Sequence, residues 1–339
     1  MNSRFRMPAE WAPHEACWLA WPWDESLWQE NMAPAQREFA DLCRAIARSE
    51  RLEILVPDAH HRVQAEKALA GLPVRFHNIP VGDIWLRDTA PIFVWDQEGG
   101  KERLSSARFR FNGWGDKYVL EHDDQVAERV ARASGLPEFK HDWILEGGSI
   151  EIDGQGVCMT TEQCLLNPNR NPGMNRVRIE AVLRESLGVS EFIWLREGLL
   201  NDHTDGHIDT IARFAAPGVA LCMKAVDSDD PNREVMQQLE DDLRHARGGT
   251  LQVVTIPSPG LVENEDGDVM PASYLNFYIS NDSVIVPVYG SKNDAKAVES
   301  IARCFPGRKT VGLSAQAILS GGGAFHCITQ QVPSVKGNA

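Results

Sequence analysis

Apolar and polar positions along the chain recur in a fixed order: an amphipathic helical stretch, a short β-type run, then a turn rich in Gly and Asp. The first instance lies over 35–50, where Phe39, Leu42, Cys43 and Ile46 share one helical face ahead of the run Leu52-Glu-Ile-Leu-Val56. Further helical patterns begin near Ala59, His122, Met174, Asn232 and Asn293. Strands are expected after them over 74–81, 139–145, 191–196, 251–256 and 309–313. The helix starts recur roughly every 50–60 residues, a spacing that fits repeated modules or an α/β protein whose elements have similar lengths. No Pro/Ser linker, low-complexity stretch or block of like charge marks a boundary. A length of 339 residues leaves one large domain or two smaller ones open.

Composition narrows the class of partner. Hydrophobic residues at 43% and charged residues at 24% describe a globular chain rather than a disordered one. The balance of 34 Lys+Arg against 48 Asp+Glu gives −14, which argues against nucleic acid and against an anionic membrane surface. A small cationic ligand is favoured instead. No apolar run is long enough to cross a membrane, and Pro8, Glu10, His14 and Glu15 interrupt any signal-like start. Seven scattered cysteines without a C-x-x-C pair fit a reducing cytoplasm.

Four polar clusters each follow one of the helix-then-strand units. They are Asp83-Ile-Trp-Leu-Arg-Asp88-Thr-Ala-Pro91, Glu146-Gly-Gly-Ser149, Asn201-Asp-His-Thr-Asp-Gly-His207-Ile-Asp209, and Ser320-Gly-Gly-Gly-Ala-Phe-His-Cys327. Units arranged about an axis would deliver all four clusters to one central place. The three consecutive glycines allow a ligand to approach the main chain, and a sulfur just beyond them would be accessible, with nearby N–H groups favouring its thiolate. A buried Cys at a turn-to-strand junction is the plainer reading of such a residue. His207-Ile-Asp209 reads as strand alternation, which would point His207 and Asp209 the same way. His203 and His207 as helical metal ligands is the weaker reading, because Gly206 and the β-branched run oppose a helix and no Glu follows His203. Asn264-Glu-Asp-Gly-Asp268 lacks the ligand spacing of a calcium loop and reads as a solvated turn. Trp18-Leu-Ala-Trp-Pro-Trp23 fits either core packing or stacking on a cation.

This combination suits displacement at a planar, positively charged carbon. A guanidinium offers rigid N–H donors that match two carboxylates, here Asp88 and Asp209. Cys327 would attack its central carbon, His207 would protonate departing ammonia and then activate water, and Glu146 would orient or charge-stabilise that His. The bound cation would itself favour the thiolate.

At these residues the chain resembles the agmatine deiminase family, related to the Porphyromonas-type peptidylarginine deiminases. The resemblance rests on Trp85-Leu-Arg-Asp-Thr89, Phe111-Asn-Gly-Trp-Gly115, Leu145-Glu-Gly-Gly-Ser149, Cys164-Leu-Leu-Asn-Pro-Asn-Arg-Asn-Pro172, Asp205-Gly-His-Ile-Asp209 and Gly321-Gly-Gly with His326-Cys-Ile-Thr-Gln-Gln331. Pro8-Ala-Glu-Trp-Ala-Pro-His-Glu15 and Ile279-Ser-Asn281 extend it nearly end to end. It implies an α/β fold, the five-bladed pseudo-symmetric α/β propeller of the guanidine-modifying enzymes, built of ββαβ-type modules in one domain over 1–339. It also implies a cofactor-free, metal-free route through an amidino-cysteine, with Cys327 as nucleophile, His207 as acid/base, Asp88 and Asp209 as clamp and Glu146 as support. Trp85, His203 and Thr204 are expected against the substrate. Agmatine would give carbamoylputrescine and ammonia, a step toward putrescine in polyamine biosynthesis. A cytoplasmic homodimer is expected, since homodimers are common among similar proteins.

Three departures bear on substrate. Ala90 stands where Gly commonly follows the Arg-Asp-Thr string, Ala324-Phe325 where agmatine enzymes often carry Asn-Ile, and His203 where they frequently carry Glu. None touches a proposed catalytic residue. Deimination of peptidyl C-terminal arginine or another small guanidine, amidino transfer to an amine, and a non-catalytic binding module are the competing readings.

Overall fold

The computed structural model describes residues 4–100 and 102–335. Among these residues the strands form five small sheets, each carrying the same motif. A hairpin pairs antiparallel, and its second strand then crosses through a helix to a parallel partner. The antiparallel pairs are Ile92–Asp96 with Arg103–Arg110, Ile150–Ile152 with Val157–Thr161, Ala212–Ala216 with Val219–Lys224, and Tyr278–Ile279 with Ser283–Val288. The crossover helices are Asp123–Ser134, Arg176–Leu187, Arg233–His245 and Asp294–Cys304. They lead to the parallel partners Glu138–Ile144, Glu191–Leu195, Gln252–Pro257 and Lys309–Ser314.

The fifth sheet joins the two ends of the chain. Gln330–Pro333 pairs antiparallel with His14–Ala20, which crosses through Met32–Ile46 to Arg51–Val56 and through Ala59–Ala68 to Val74–Asn78. The architecture is the five-bladed α/β propeller. Helix and strand positions follow the amphipathic pattern closely, because most of the helices bury one apolar face, as Phe39, Leu42, Cys43 and Ile46 do on the first, whereas Ala59–Ala68 buries only Ala65. Asp58 and Asn175 cap the helices at 59–68 and 176–187, accepting from the N–H groups of His61 and Arg178, each at 3.0 Å.

The first strand of every motif is short and buried, and a turn lies immediately before it. These five turns meet. Buried polar groups stitch them together around Glu10, which takes Arg87 Nη1 at 3.1 Å and the Arg213 guanidinium. Arg213 also meets Glu151 at 2.9 Å and donates to the carbonyls of Leu275 and Phe277 at 3.0 and 2.9 Å. Buried charges in such numbers persist only when paired on all sides, as here. Among the described residues, no helix is long and apolar enough to cross a membrane.

The tryptophans of the 18–23 stretch are structural. Trp18 and Trp21 are buried against His77 and Phe39, while Trp23 donates to the Val81 carbonyl at 3.1 Å. Asn264 closes its turn by accepting from the N–H groups of Asp266 and Asp268, at 3.0 and 2.8 Å.

Candidate active site

The five turns supply Asp88, Glu146 with Gly148, His207 with Asp209, Asn276 and Cys327 to one place. Asp88 sits in the helical turn Leu86–Thr89, tied to the cysteine segment by the Arg87 N–H, which donates to the Cys327 carbonyl at 3.0 Å. Its carboxylate accepts from Trp114 Nε1 and from the Gly148 N–H, both at 2.9 Å. His207 Nδ1 lies 3.7 Å from Asp88 Oδ1. Asp209 Oδ2 takes His326 Nδ1 at 2.7 Å and the Cys327 thiol at 3.5 Å.

Gly148 marks the convergence. A Cβ built there would stand 2.6 Å from His207 Nδ1, 2.9 Å from Asp88 Oδ1 and 3.1 Å from Asp209 Oδ2, so the residue must be glycine for the three groups to close around it. His207 and Asp209 do share a side, but not as strand neighbours. His207 is extended, Ile208–Thr210 form a single 3₁₀ turn, and the strand begins at Ala212. Two residues apart across that tight turn mimic the period-2 pattern. Asp205 and Gly206, with φ of 65° and 78°, break any helix between His203 and His207.

Cys327 is buried rather than accessible, at 6% exposure. Burial, Asp209 and Asp88 push its thiol well above the ordinary range, against the pull of the Ala324 backbone and Asn276. That direction favours the thiol over the thiolate at neutral pH. Burial works against a charged His207, yet Asp88, Cys164 and Glu146 together hold it well above the usual imidazole range. Burial raises Asp88, with Asp209 and Glu146 adding to it and His207 opposing. Asp209 is held below its ordinary value, because the hydrogen bond and charge of His326, with His207 and Arg213, outweigh its burial.

Asp209 Oδ1, Glu146 Oε2 and both ring nitrogens of His207 are buried without a hydrogen-bond partner among the described residues. Such orphans are costly, and donors from a planar cation would satisfy the carboxylate. Glu146, fully buried, pairs with Arg170 Nε at 2.7 Å; Arg170 also binds Asp205 and the Thr204 carbonyl, so it carries the 204–207 loop. Glu146, Cys164 and His207 offer ligand atoms within 4.8 Å of one another. A metal there would need a thiolate and a neutral imidazole. Burial raises the Cys164 thiol and His207 is raised by its neighbours, so a metal would have to displace a proton from each.

A cavity of about 250 Å³ opens onto the sulfur, lined by Trp85, Asp88, Trp114, Tyr118, His203 and Thr204 beside the glycines 321–323. Trp85, His203 and Thr204, the residues expected against the substrate, all line this cavity. The Thr204 hydroxyl, however, is engaged with Asp202 and accepts the His207 N–H at 3.1 Å. Of the three departures, only His203 faces the cavity; Ala324 and Phe325 are core, and Ala90 has a φ of −84° that needs no glycine. Asn276, His326, Arg170 and Glu10 carried no assigned role in the sequence. Trp114 and Arg170 lay inside the quoted strings, and His326 beside Cys327, but Asn276 had no charged neighbour to draw attention.

Residues 6–333 match the Porphyromonas-type peptidyl-arginine deiminase family. The agmatine deiminase of Stutzerimonas stutzeri is 39% identical, over 97% of this chain and 96% of its own length. The solved agmatine deiminase of Enterococcus faecalis superposes with a TM-score of 0.91 at 32% identity, covering 98% of this chain and 96% of that one. A dimethylarginine dimethylaminohydrolase structure, 13% identical with a TM-score of 0.55 over 94% of this chain and 99% of its own, shares the fold.

Proposed function

The chain belongs to the Porphyromonas-type peptidyl-arginine deiminase family, and we propose that it hydrolyses agmatine to carbamoylputrescine and ammonia at Cys327. The observation that carries this reading is the Cys327 thiol, 3.5 Å from Asp209 Oδ2 in a cavity that Asp88 also lines. Asp88 and Asp209 accept the N–H groups of the guanidinium, and their neutralisation lets the thiol lose its proton. The thiolate bonds to the guanidinium carbon. His207 gives its proton to one terminal nitrogen, the C–N bond breaks and ammonia leaves. His207, now neutral, takes a proton from water as the oxygen attacks the amidino carbon. The C–S bond then breaks as the hydroxyl proton passes to the departing sulfur, releasing carbamoylputrescine and the Cys327 thiol. Glu146, held by Arg170, keeps His207 charged until its proton is needed.

Residues 1–339 act as one domain in this account, since the five motifs contribute jointly to one site. A reducing cytoplasm is supported by seven free cysteines, six of them buried. A homodimer and a place in polyamine biosynthesis follow from the resemblance.

The test is ammonia release from the purified protein with agmatine, arginine and arginyl peptides. Agmatine is expected to give the highest kcat/KM. Turnover of arginyl peptides in preference would transfer the reading to the peptidyl substrate, and release of deamidinated amine without ammonia would make the chain an amidinotransferase.

A further inference from the structure

One fully buried histidine stands outside the proton transfers yet touches the substrate clamp. His326, the residue before Cys327, has a carboxylate on each ring nitrogen. Nδ1 lies 2.7 Å from Asp209 Oδ2, and Nε2 lies 2.7 Å from Glu10 Oε1. The ring thus links the clamp to the hub that joins the five turns. Its backbone is fixed as well. The His326 N–H donates to Asn276 Oδ1 at 3.0 Å, and its carbonyl accepts from Arg87 Nε at 3.3 Å.

A neutral imidazole has one N–H and one lone pair, whereas an ionised carboxylate only accepts. A neutral His326 would therefore aim its lone pair at one of two carboxylates 2.7 Å away. Protons on both nitrogens satisfy the two contacts together. Glu10 has little use for a proton of its own, since it also accepts from Arg87 Nη1 at 3.1 Å and from the Arg213 guanidinium. Burial works against the charge on Glu10, but His326, Arg87 and Arg213 hold its carboxyl well below the ordinary range. Burial opposes Asp209 too, and there the hydrogen bond and charge of His326, with His207 and Arg213, prevail. Beyond Arg213 stands Glu151, which burial pushes up to about 7. Asp209 Oδ2 also meets the Cys327 thiol at 3.5 Å, while Oδ1 is buried without a partner among the described residues.

We propose that His326 is a positioning residue held as an imidazolium between Glu10 and Asp209. It keeps the buried Asp209 ionised through Oδ2 and leaves Oδ1 to take a guanidinium N–H. This rests on the guanidine hydrolase reading for what Asp209 binds, and it adds the group that makes a fully buried carboxylate available as an anion.

The first measurement needs no substrate. In protein labelled with nitrogen-15 at histidine, the wild type at pH 8 should show a ring protonated on both nitrogens, and His326→Gln should lack it. If the glutamine variant does not fold, assignment through the wild-type backbone gives the same readout. A singly protonated ring at His326 would overturn this inference alone. The second measurement is kcat/KM for agmatine across pH. Without the imidazolium, burial lifts Asp209, so the acid limb of the His326→Gln profile should move up by about one unit or more. The variant should then lose about tenfold more at pH 6 than at pH 8.5. An equal loss at both, as from a merely structural histidine, would also overturn the inference. Ammonia release by neither protein, with the doubly protonated ring present, would overturn the parent reading instead.

Discussion

The side-chain amide of Asn276 holds Cys327 at two points. Nδ2 donates to the sulfur at 3.0 Å, and Oδ1 accepts the cysteine's own N–H at 3.2 Å and that of His326 at 3.0 Å. Between two carboxylates, this is the side-chain donor that opposes their effect on the thiol. Asn276→Ala should therefore lower kcat by about 10²-fold, the scale for losing one preorganised donor. It should also move alkylation of Cys327 by iodoacetamide to higher pH, read by intact mass. Identical alkylation profiles for variant and wild type would show that Asn276 does not tune the sulfur.

Guanidinium binding should release a proton. Before binding, the thiol stays protonated at neutral pH because burial, Asp209 and Asp88 raise it. A cation between those carboxylates removes much of that effect, so the thiol's titration falls and a proton departs. Calorimetry with a non-hydrolysed guanidine, in buffers of different ionisation enthalpy, should register release approaching one proton at pH 7.5. Cys327→Ser should register none. Proton uptake by the wild type would contradict the thiol-to-thiolate step.

Much of this site was legible in the sequence, and the part that was not has a physical explanation. The helix-then-strand rhythm was visible because most crossover helices bury a clear face; the innermost strands, such as Ile150–Ile152, are too short and too uniformly buried to show a period. Four of the five inner turns announced themselves by charge. The fifth lies after Gln252–Pro257 and brings a neutral amide inside Ser273-Tyr-Leu-Asn276-Phe, where nothing local separates a functional Asn from a turn residue. His207 and Asp209 were paired correctly through an incorrect strand, since a single 3₁₀ turn can also place residues two apart on one side. His326 was hidden because its meaning depends on Glu10 and Asp209, each 2.7 Å from a different ring nitrogen and both remote in sequence.

Gly148→Ala tests the convergence of the turns. The added methyl would fall 2.6 Å from His207 Nδ1 and 2.9 Å from Asp88 Oδ1. Displacing either group by even an ångström costs about 10²-fold in rate. Activity is expected to fall by at least that much, with the circular dichroism spectrum of the fold retained. A fully active variant would mean that these groups need not close around residue 148.

Asp123 gives a pH signature in stability. Burial holds its carboxyl at about 7, whereas an unfolded Asp titrates near ~4. Between those values the folded chain binds more protons than the unfolded one, so stability falls as pH rises through the window. Asp123→Asn removes that dependence. Its Tm should exceed the wild type's by on the order of 2 °C or more at pH 8 and match it at pH 4. A deficit at pH 8 would show that the charged form is stabilised by its surroundings.

The most direct measurement is the mass of the enzyme caught between its two chemical steps. The wild-type protein, quenched with acid during turnover of saturating agmatine and digested, should carry the amidino adduct on the peptide containing Cys327. An adduct on another residue, or turnover with Cys327 unmodified at every time point, would contradict the account.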